Sequence, residues 1–271
     1  MRNLKDNVVV VTGAASGIGR ELAIELAKKG CHLAISDVNE AELQQTVELL
    51  KVYEVKVKAD KLNVADKDGF FQYAEEVIAH FGHVDRVINN AGRSVADAFV
   101  TGTVEDFKMV MDVNFWGAFH GTKAFLPHLM ERPDATIVNV SSVNALIPFP
   151  NQSSYNVSKY AICGMNESLQ QELNGTSVKV ISVFPGGVKT NIVNNSKFVR
   201  GPKEGMSQEE SAALFKKVAM TSAPRAARII VRGIRRGKKR VKVGPDAYLF
   251  DFLKRLAPKF SVWLIGKLAS A

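Results

Sequence analysis

Cysteine is scarce in this sequence, with Cys31 and Cys163 the only two among 271 residues. Neither has other ligand-type side chains at the spacing of a metal site, and two cysteines cannot build the disulfide framework of a small secreted domain. We therefore expect both to be reduced core residues of a cytoplasmic protein, and the sequence predicts no bound metal.

Long apolar runs are also missing. No stretch approaches the roughly 20 apolar residues that cross a membrane, and the apolar segment after residues 1–7 is too short for the core of a secretory signal. With 46% hydrophobic and 23% charged residues, the composition is typical of a soluble globular protein. We expect a cytoplasmic protein.

Acidic residues are few in the last third of the chain. Residues 189–271 contain 19 Lys and Arg against 5 Asp and Glu, whereas residues 1–188 contain 17 against 22. A basic region can mark a nucleic-acid or membrane surface, although solvated helix faces are the commoner cause. The basic run 235–240 lies where a predicted helix ends, and cations are favoured there. We expect no nucleic-acid binding.

The first strong pattern is the stretch 8–19, VVVVTGAASGIG. Four valines suit a strand buried on both faces, and the glycines allow a tight turn into a helix, where unpaired N–H groups can bind a pyrophosphate. An ordinary strand-to-helix turn remains the alternative, because the spacing differs from the general dinucleotide fingerprint. Asp37, which follows the next predicted strand, is placed either to bind an adenosine ribose or to cap a helix.

Strand-like and helical patterns alternate along the chain, which predicts a single α/β domain with a Rossmann-like, doubly wound, seven-stranded parallel sheet. The predicted strands are Val8–Thr12, Cys31–Ser36, Val55–Ala59, Arg86–Asn89, Thr136–Ser141, Lys179–Phe184 and Val241–Val243. The predicted helices after the one that starts at Gly17 are Glu40–Val52, Lys67–Phe81, Val104–Met130, Ser154–Leu173 and Ala223–Arg236. We assign 1–247 to this domain, with a helical lid at about 191–222, and 248–271 to a basic, amphipathic helical extension.

Tyr155 and Lys159 lie four residues apart in a predicted helix and therefore share one face. A phenol has a pKa near 10, and a neighbouring cation lowers that pKa towards a value useful for proton transfer. The pair is weak evidence alone, since it occurs by chance on many helices. Asn114, in the middle of another predicted helix, has the character of a surface residue when it is considered alone.

The motifs TGAASGIG, NNAG, Asn114, a serine thirteen residues before Y-x-x-x-K, and PGGVKT occur in this order. The order resembles the classical short-chain dehydrogenase/reductase family, closely over residues 5–190 and more loosely over 240–247. The resemblance implies a nicotinamide cofactor and hydride transfer between an alcohol and a carbonyl compound.

The resemblance also implies residue roles. Tyr155 matches the general acid/base, and Lys159 the lysine that lowers the tyrosine pKa and holds the nicotinamide ribose. Ser142 matches the serine that polarises the substrate oxygen, and Asn114 the residue that holds a water of the proton relay. The implied cofactor-binding set is Thr12, Gly13, Ser16, Gly17, Ile18, Gly19, Asp37, Asn63, Val64, Asn90, Ala91, Gly92, Tyr155, Lys159, Pro185, Gly186, Val188 and Thr190.

Two positions bear on the nucleotide. Asn63 stands where members often have Asp, and its amide can still pair with an adenine edge. Asp37 would repel the extra phosphate of NADP and bind a free ribose diol, and no Arg or Lys follows the second predicted strand directly. We therefore predict NAD as the cofactor, in preference to NADP.

The substrate region is less defined. The pocket candidates are Arg93, Asn144, Phe149, Asn151, Gln152 and Ile192, with Phe149 as an apolar wall. The mixed apolar and basic content of the lid suits a hydrophobic substrate, although a solvated loop has the same composition. The extension can pack on a neighbouring subunit of a homodimer or homotetramer, which we favour, or lie on an anionic membrane surface.

The leading hypothesis is an NAD-dependent oxidoreductase acting on a largely apolar alcohol, most naturally a secondary one, of the steroid, retinoid or fatty type and on its ketone or aldehyde. Within the same family, an NADP-dependent carbonyl or 3-oxoacyl reductase is the alternative. A non-catalytic NAD sensor or membrane-associated scaffold with the same fold is the alternative of a different class.

Overall fold

The computed structural model describes residues 2–190, 196–199 and 205–270, with the side chains of 268–270 excepted. The strands, numbered in chain order, are β1 Val8–Thr12, β2 His32–Asp37, β3 Val57–Lys61, β4 Arg86–Asn89, β5 Val95–Ala96, β6 Ala135–Val140, β7 Val178–Pro185, β8 Val188–Lys189, β9 Lys197–Phe198, β10 Thr221–Ser222 and β11 Arg240–Val243. The α-helices are α1 Gly17–Ala27, α2 Glu40–Leu50, α3 Lys67–Phe81, α4 Val104–Met111, α5 Gly117–Met130, α6 Ser153–Glu172, α7 Gln208–Val218, α8 Ala223–Arg235, α9 Pro245–Leu256 and α10 Pro258–Ser270.

Seven of the strands form one parallel sheet in the order β11-β7-β6-β4-β1-β2-β3, which confirms the predicted fold class. The valines of β1 show why the sheet is covered on both faces: Val9 and Val11 pack with residues of α1 and α8, whereas Val8 and Val10 pack with residues of α3 and α5. The direction of chain progression reverses between β1 and β4. Such a switch point opens a crevice at the carboxyl ends of the two strands.

Most predicted elements are within one or two residues of the observed bounds, and two of the differences have a physical reason. The third strand begins at Val57 rather than Val55, because this edge strand pairs only with β2 and its register starts where Leu33 meets Val57. The predicted helix Val104–Met130 is divided by a π-helical turn, Asp112–Trp116, between α4 and α5. A π turn inserts one extra residue into the helical repeat and often occurs at functional sites.

The lid and the extension are also more regular than a loop. Within 205–222, α7 begins at a capping box in which Ser207 and Glu210 satisfy each other's backbone N–H groups. The first helix of the extension starts at Pro245, three residues before the predicted boundary at 248. In the part of the chain that the structure describes, no helix is long and apolar enough to cross a membrane.

A chain of buried amides crosses the sheet below the crevice. Asn89 donates to Asn139 (2.7 Å), Asn139 donates to Asn166 (2.6 Å), and Asn166 donates to Ser182 (2.9 Å). All four residues are less than 5% exposed, so these bonds are formed away from water. The amides therefore join β4, β6, α6 and β7 in a fixed arrangement.

We predict that Asn139→Ala lowers the free energy of unfolding by about 2–4 kcal/mol, because it leaves the buried Asn166 Oδ1 without its donor and removes the shortest hydrogen bond of the Asn89 amide. Urea unfolding followed by circular dichroism measures this change. Asn174→Ala, at an exposed position, is the control and should change stability by less than about 0.5 kcal/mol. Equal stability of the two variants would show that the amide chain does not hold the sheet together.

Candidate active site

The glycine turn lies at the carboxyl end of β1, on one side of the crevice. Gly13 has φ +67°, and a Cβ atom there would lie 2.7 Å from the Cα of Ala91. A Cβ on Gly19 would overlap the carbonyl oxygen of Gly13. Only glycine fits these positions, and the resulting cradle leaves backbone rather than side chains facing the crevice.

Two side chains hold the turn against the loop after β4. Thr12 is buried, and its Oγ1 accepts the N–H groups of Asn90 and Ala91, both at 3.1 Å. The Asn90 amide donates in return to the carbonyl oxygens of Thr12 (3.0 Å) and Gly13 (3.1 Å). The predicted residues of the two loops are therefore brought together as one rigid unit.

The first turn of α1 supplies the anion-binding end of this unit. Ser16 is its N-cap residue, yet its side chain makes no capping hydrogen bond, and Ile18 lies in the first turn, partly buried against the core. Helix N-termini carry unpaired N–H groups and a partial positive charge. The cradle and the helix end together fit a dinucleotide pyrophosphate.

Asp37 lies at the end of β2, beside the cradle. Its Oδ2 accepts the N–H of Ala15 and its Oδ1 that of Asn39, both at 3.0 Å. Each carboxylate oxygen keeps a second lone pair, so the group can still accept from a ribose diol. Asn39, not Asp37, is the N-cap residue of α2, so the alternative role of Asp37 as a helix cap is not realised.

Arg20 was missed by sequence reasoning. Its guanidinium donates to the carbonyl oxygens of Ala15 and Glu42 and to the hydroxyl of Thr46, so it ties the glycine turn to α2. Its position, three residues after Gly17, was the available signal, but an arginine on a helix is commonly solvated. Because its donors are engaged by Thr46 and by backbone carbonyl oxygens, Arg20 acts here as a structural clamp.

The predicted adenine residues follow β3. Asn63 is exposed, and its side-chain oxygen accepts the N–H of Ala65 (3.2 Å). Val64 is buried against Gly117, where a Cβ would lie 2.6 Å from the Val64 Cγ2, and its carbonyl faces His120 Nδ1 at 3.1 Å. Packing against α5 thus fixes the backbone of this segment.

The four predicted catalytic residues converge from three elements. Ser142 follows β6 and caps a short 3₁₀ turn, Val143–Ala145, by accepting the N–H of Asn144 (3.1 Å). The Ser142 hydroxyl donates to Asn144 Oδ1 (3.1 Å), and it lies close enough to the Tyr155 side chain to lower the pKa of the phenol. The Lys159 Nζ lies 5.4 Å from the centre of the Tyr155 ring and donates to the Val140 carbonyl (3.0 Å). These side chains form one polar cluster on the floor of the crevice.

Asn114 is buried in the π turn, which corrects its interpretation as a surface residue. Its Oδ1 accepts the N–H of Arg93 (2.8 Å), and its Nδ2 donates to the Arg93 carbonyl (3.0 Å) and to Ser158 Oγ (2.9 Å). A Cβ on Gly92 would lie 3.2 Å from Asn114 Oδ1 and 3.4 Å from Lys159 Nζ. Helical propensity alone could not reveal this burial, because the π turn and its partners are tertiary features.

Burial dominates the titration of the cluster. It lowers the pKa of Lys159 from its ordinary 10.5 to about 8. It also raises the pKa of Tyr155 above 10, although the neighbouring Ser142 hydroxyl acts in the opposite direction. We expected a lowered pKa for Tyr155; in this structure the burial of the side chain is the largest influence on that pKa and raises it.

The predicted substrate residues divide into two groups. Asn144 is buried, and its amide donates to Gln152 (2.7 Å) and to Asn156 (2.8 Å), so Asn144 and Gln152 hold each other in place. Asn151 adopts a left-handed backbone, φ +57°, at the start of α6 and accepts the N–H of Asp97. These three residues shape the loop before Tyr155.

The remaining candidates lie elsewhere around the crevice. Arg93 has its backbone fixed by Asn114, and within the described ranges its buried Nε has no hydrogen-bond partner. Phe149 packs edge-to-face on Phe250 of α9, with the ring centres 5.8 Å apart, so its wall is shared with the extension. Ile192 lies outside the described residues.

The Pro185–Gly187 turn is held by a residue that sequence reasoning missed. Asp246, in the first turn of α9, accepts the N–H of Gly187, and a Cβ on Gly186 would overlap its carboxylate. Val188 is buried in β8, which pairs with β10. Thr190 stands against Gly17, where a Cβ would lie 3.2 Å from its Cγ2. The extension therefore helps to position the loop that faces the glycine turn.

The lid returns to the body of the protein at β9. This strand pairs with β5, and Lys197 binds both carboxylate oxygens of Asp106 on α4 (3.0 and 2.8 Å). The Lys197 ammonium holds the pKa of Asp106 below its usual range. One edge of the lid is thus joined to the segment that follows Arg93.

Comparison with known proteins agrees with this geometry. The family model described as "short chain dehydrogenase" matches residues 7–198. The chain is 41% identical over 259 residues to the oxidoreductase SadH of Mycobacterium tuberculosis, covering 94% of this chain and 92% of that protein. It is 33% identical over 187 residues to the 3-oxoacyl-[acyl-carrier-protein] reductase FabG of Thermotoga maritima, covering 69% of this chain and 76% of that protein.

Solved structures give the same result. A short-chain dehydrogenase/reductase from Burkholderia phymatum in complex with NAD superimposes with a TM-score of 0.88 at 25% identity, covering 96% of both chains. A short-chain dehydrogenase from Streptomyces avermitilis superimposes with a TM-score of 0.81 at 26% identity, covering 98% of this chain and 97% of that chain.

The pKa of Lys159 leads to a pH-dependent prediction for the nucleotide-free protein. Because the folded pKa is about 8 and the ordinary value 10.5, the fold favours the neutral amine, and the cost of burying the ammonium is fully present below pH 8. Relative to Lys159→Met, the wild type should therefore gain stability as the pH rises from 8 to 10.5, by on the order of 2–3 kcal/mol.

Urea unfolding of both proteins between pH 7 and pH 10.5 measures this difference. Lys179→Met, at an exposed position, is the control and should follow the wild type at every pH. A wild-type stability that falls relative to Lys159→Met over this range would contradict the assignment of a buried, destabilised ammonium.

Proposed function

The chain belongs to the short-chain dehydrogenase/reductase family and is an oxidoreductase, and we propose that it interconverts a largely apolar alcohol and its ketone or aldehyde with NAD. We favour a secondary alcohol of the steroid, retinoid or fatty type. The observation that supports the proposal most directly is the convergence of Ser142, Tyr155 and Lys159 beside the glycine cradle.

The nicotinamide cofactor accepts or supplies the hydride, and the residues of the chain bind, orient and move the proton. Tyr155 is the general acid/base: its raised pKa keeps the phenol protonated at neutral pH, ready to donate to the oxygen of a carbonyl substrate. Ser142, which lies beside Tyr155, orients that oxygen. Proton transfer then runs between the substrate oxygen and the phenol, and the reverse reaction requires the phenolate.

Lys159 and Asn114 act on Tyr155 through its ring and through the residues that surround it. The buried Lys159 ammonium lies over the ring, where positive charge stabilises a phenolate once the tyrosine has given up its proton. Asn114 fixes the Arg93 backbone and Ser158, whose hydroxyl donates to the Tyr155 carbonyl (2.8 Å). We propose that this set relays the proton to solvent.

NAD is favoured over NADP by the charges beside the cradle. The Asp37 carboxylate would lie close to a 2′-phosphate and repel it, and the nearby Arg20 already donates to backbone carbonyl oxygens. Ser16, Ser36 and Val38 supply no further cation. The same group that rejects the phosphate can accept both hydroxyls of a free ribose.

The substrate class follows from the walls of the crevice. Phe149 and Phe250 supply an apolar surface beside the Ser142 turn, and the Arg93 Nε, which has no hydrogen-bond partner among the described residues, offers a donor for one polar end. We also propose a cytoplasmic homodimer or homotetramer. Exposed apolar side chains on the π turn, α5 and α6 support this assembly; they are Trp116, Phe119, Val157 and Tyr160.

Tyr155→Phe tests the reaction. We expect turnover to fall about 10²–10⁴-fold while the Kd for NADH stays within about threefold, because only the proton donor is removed. Turnover is measured by NADH absorbance with the most active compound from a panel of steroid, retinoid, fatty and polyol alcohols. Tyr160→Phe, one turn along the same helix, is the matched control and should stay active.

Full activity of Tyr155→Phe would refute the assigned role of this residue. Tight NADH binding without turnover of any compound in the panel would instead favour the non-catalytic alternative.

Asp37 tests the cofactor choice. The wild type should show a kcat/KM for NAD at least tenfold above that for NADP, and Asp37→Ser should shrink this ratio by about tenfold, because it removes both the ribose acceptor and the repulsion. Asp68→Ser, on the exposed surface of α3, removes the same charge elsewhere and should leave the ratio unchanged. A wild type that prefers NADP would overturn the NAD assignment.

A further inference from the structure

The helices α9 and α10, referred to here as the tail hairpin (245–267), pack on each other, and α9 joins the hairpin to the body. Asp251 is buried and forms ion pairs with Lys242 (2.7 Å), Arg255 (3.1 Å) and Arg240 (3.5 Å). Phe250 packs on Phe149, and the buried Ser261 and Ile265 mark the inner face of α10. The hairpin therefore has a defined orientation, with its opposite face in solvent.

That opposite face is apolar. Seven large hydrophobic side chains of the tail hairpin are between 44% and 69% exposed: Tyr248, Leu249, Phe252, Leu256, Phe260, Val262 and Trp263. They come from both helices and include four aromatic rings, and the rings of Phe260 and Trp263 lie 5.6 Å apart. A cluster of exposed large apolar side chains on a folded protein marks an interaction surface.

The charged residues of the tail hairpin after Asp251 are all basic. Lys254, Arg255, Lys259 and Lys267 lie on these two helices, and the sequence has no Asp or Glu after Asp251, whose carboxylate is already paired. The partner of this surface must therefore combine an apolar layer with negative charge.

A second copy of the chain does not meet that requirement across a two-fold axis. An isologous interface would place the patch against itself and bring the basic side chains of both copies together with no carboxylate between them. The charge distribution thus favours a different occupant from the subunit packing that the sequence favoured. An anionic bilayer supplies both components, since aromatic and aliphatic side chains enter the acyl boundary while Lys and Arg meet the lipid phosphates.

We propose that the tail hairpin docks the protein peripherally on anionic phospholipid membranes. The hairpin also touches the catalytic region: Asp246 holds the Gly187 N–H, and Phe250 contacts Phe149 beside the Ser142 turn. If the proposed function is correct, docking places the crevice next to a phase in which apolar alcohols dissolve. Membrane binding itself does not depend on that function.

Vesicle co-sedimentation of the full chain tests the proposal. We expect binding to vesicles of phosphatidylcholine and phosphatidylglycerol at 7:3 to exceed binding to pure phosphatidylcholine at least tenfold at low salt, and to fall as the salt concentration rises. Phe252→Glu/Trp263→Glu should reduce the partition coefficient at least tenfold. Both positions are exposed, so the fold should survive, and circular dichroism checks it.

The matched control is Val52→Glu/Val100→Glu, which adds the same charge to exposed apolar positions elsewhere and should still bind. The proposal is overturned if the wild type ignores the anionic vesicles, binds both kinds equally, or binds as well after the tail substitutions. Analytical ultracentrifugation of the same proteins tests whether a second copy of the chain covers this face instead. That alternative would hold if the wild type does not bind vesicles and forms an oligomer that dissociates in Phe252→Glu/Trp263→Glu. NADH turnover of the tail variant, measured with a soluble substrate, separates this result from failure of the proposed function.

Discussion

The close approach of two loops at the carboxyl ends of β1 and β4 is the constraint on which the rest of the site depends. Gly13 presses against Ala91, and the side chains of Thr12 and Asn90 close the gap with hydrogen bonds to backbone. Because parallel strands end at one edge of the sheet, this contact fixes the nucleotide cradle relative to the segment that runs past Asn114 and Lys159. The nucleotide cradle and the proton-transfer residues are thereby held in fixed positions relative to each other.

Burial shifts the pKa values of the two titratable side chains of the site. Lys159 and Tyr155 both lose solvent, and each is pushed towards its neutral form, the lysine to a pKa of about 8. The hydrogen bond from Lys159 to the Val140 carbonyl and the contact between Tyr155 and Ser142 limit the penalty. Burial therefore sets the protonation state that each of the two groups favours.

The C-terminal extension contacts the catalytic region. Asp246 and Phe250 reach from α9 to the Gly187 turn and to Phe149, while the outer face of the same hairpin carries the apolar, basic patch. Asp251 joins these two roles, since three cations of the body and the hairpin converge on its carboxylate. Binding at the outer face therefore acts on a unit that also contacts the catalytic region.

The sequence alone determined the sheet, the order of its strands along the chain, the glycine turn and the Tyr155–Lys159 pair, because hydrophobic periodicity, glycine and four-residue spacing are local properties. The family resemblance added Ser142 and Asn114. Only the tertiary structure decided the π turn that buries Asn114, the clamp of Arg20, the contact of Asp246 with Gly187 and the raised pKa of Tyr155. Each of these depends on residues distant in sequence, and burial is a property of the packed whole.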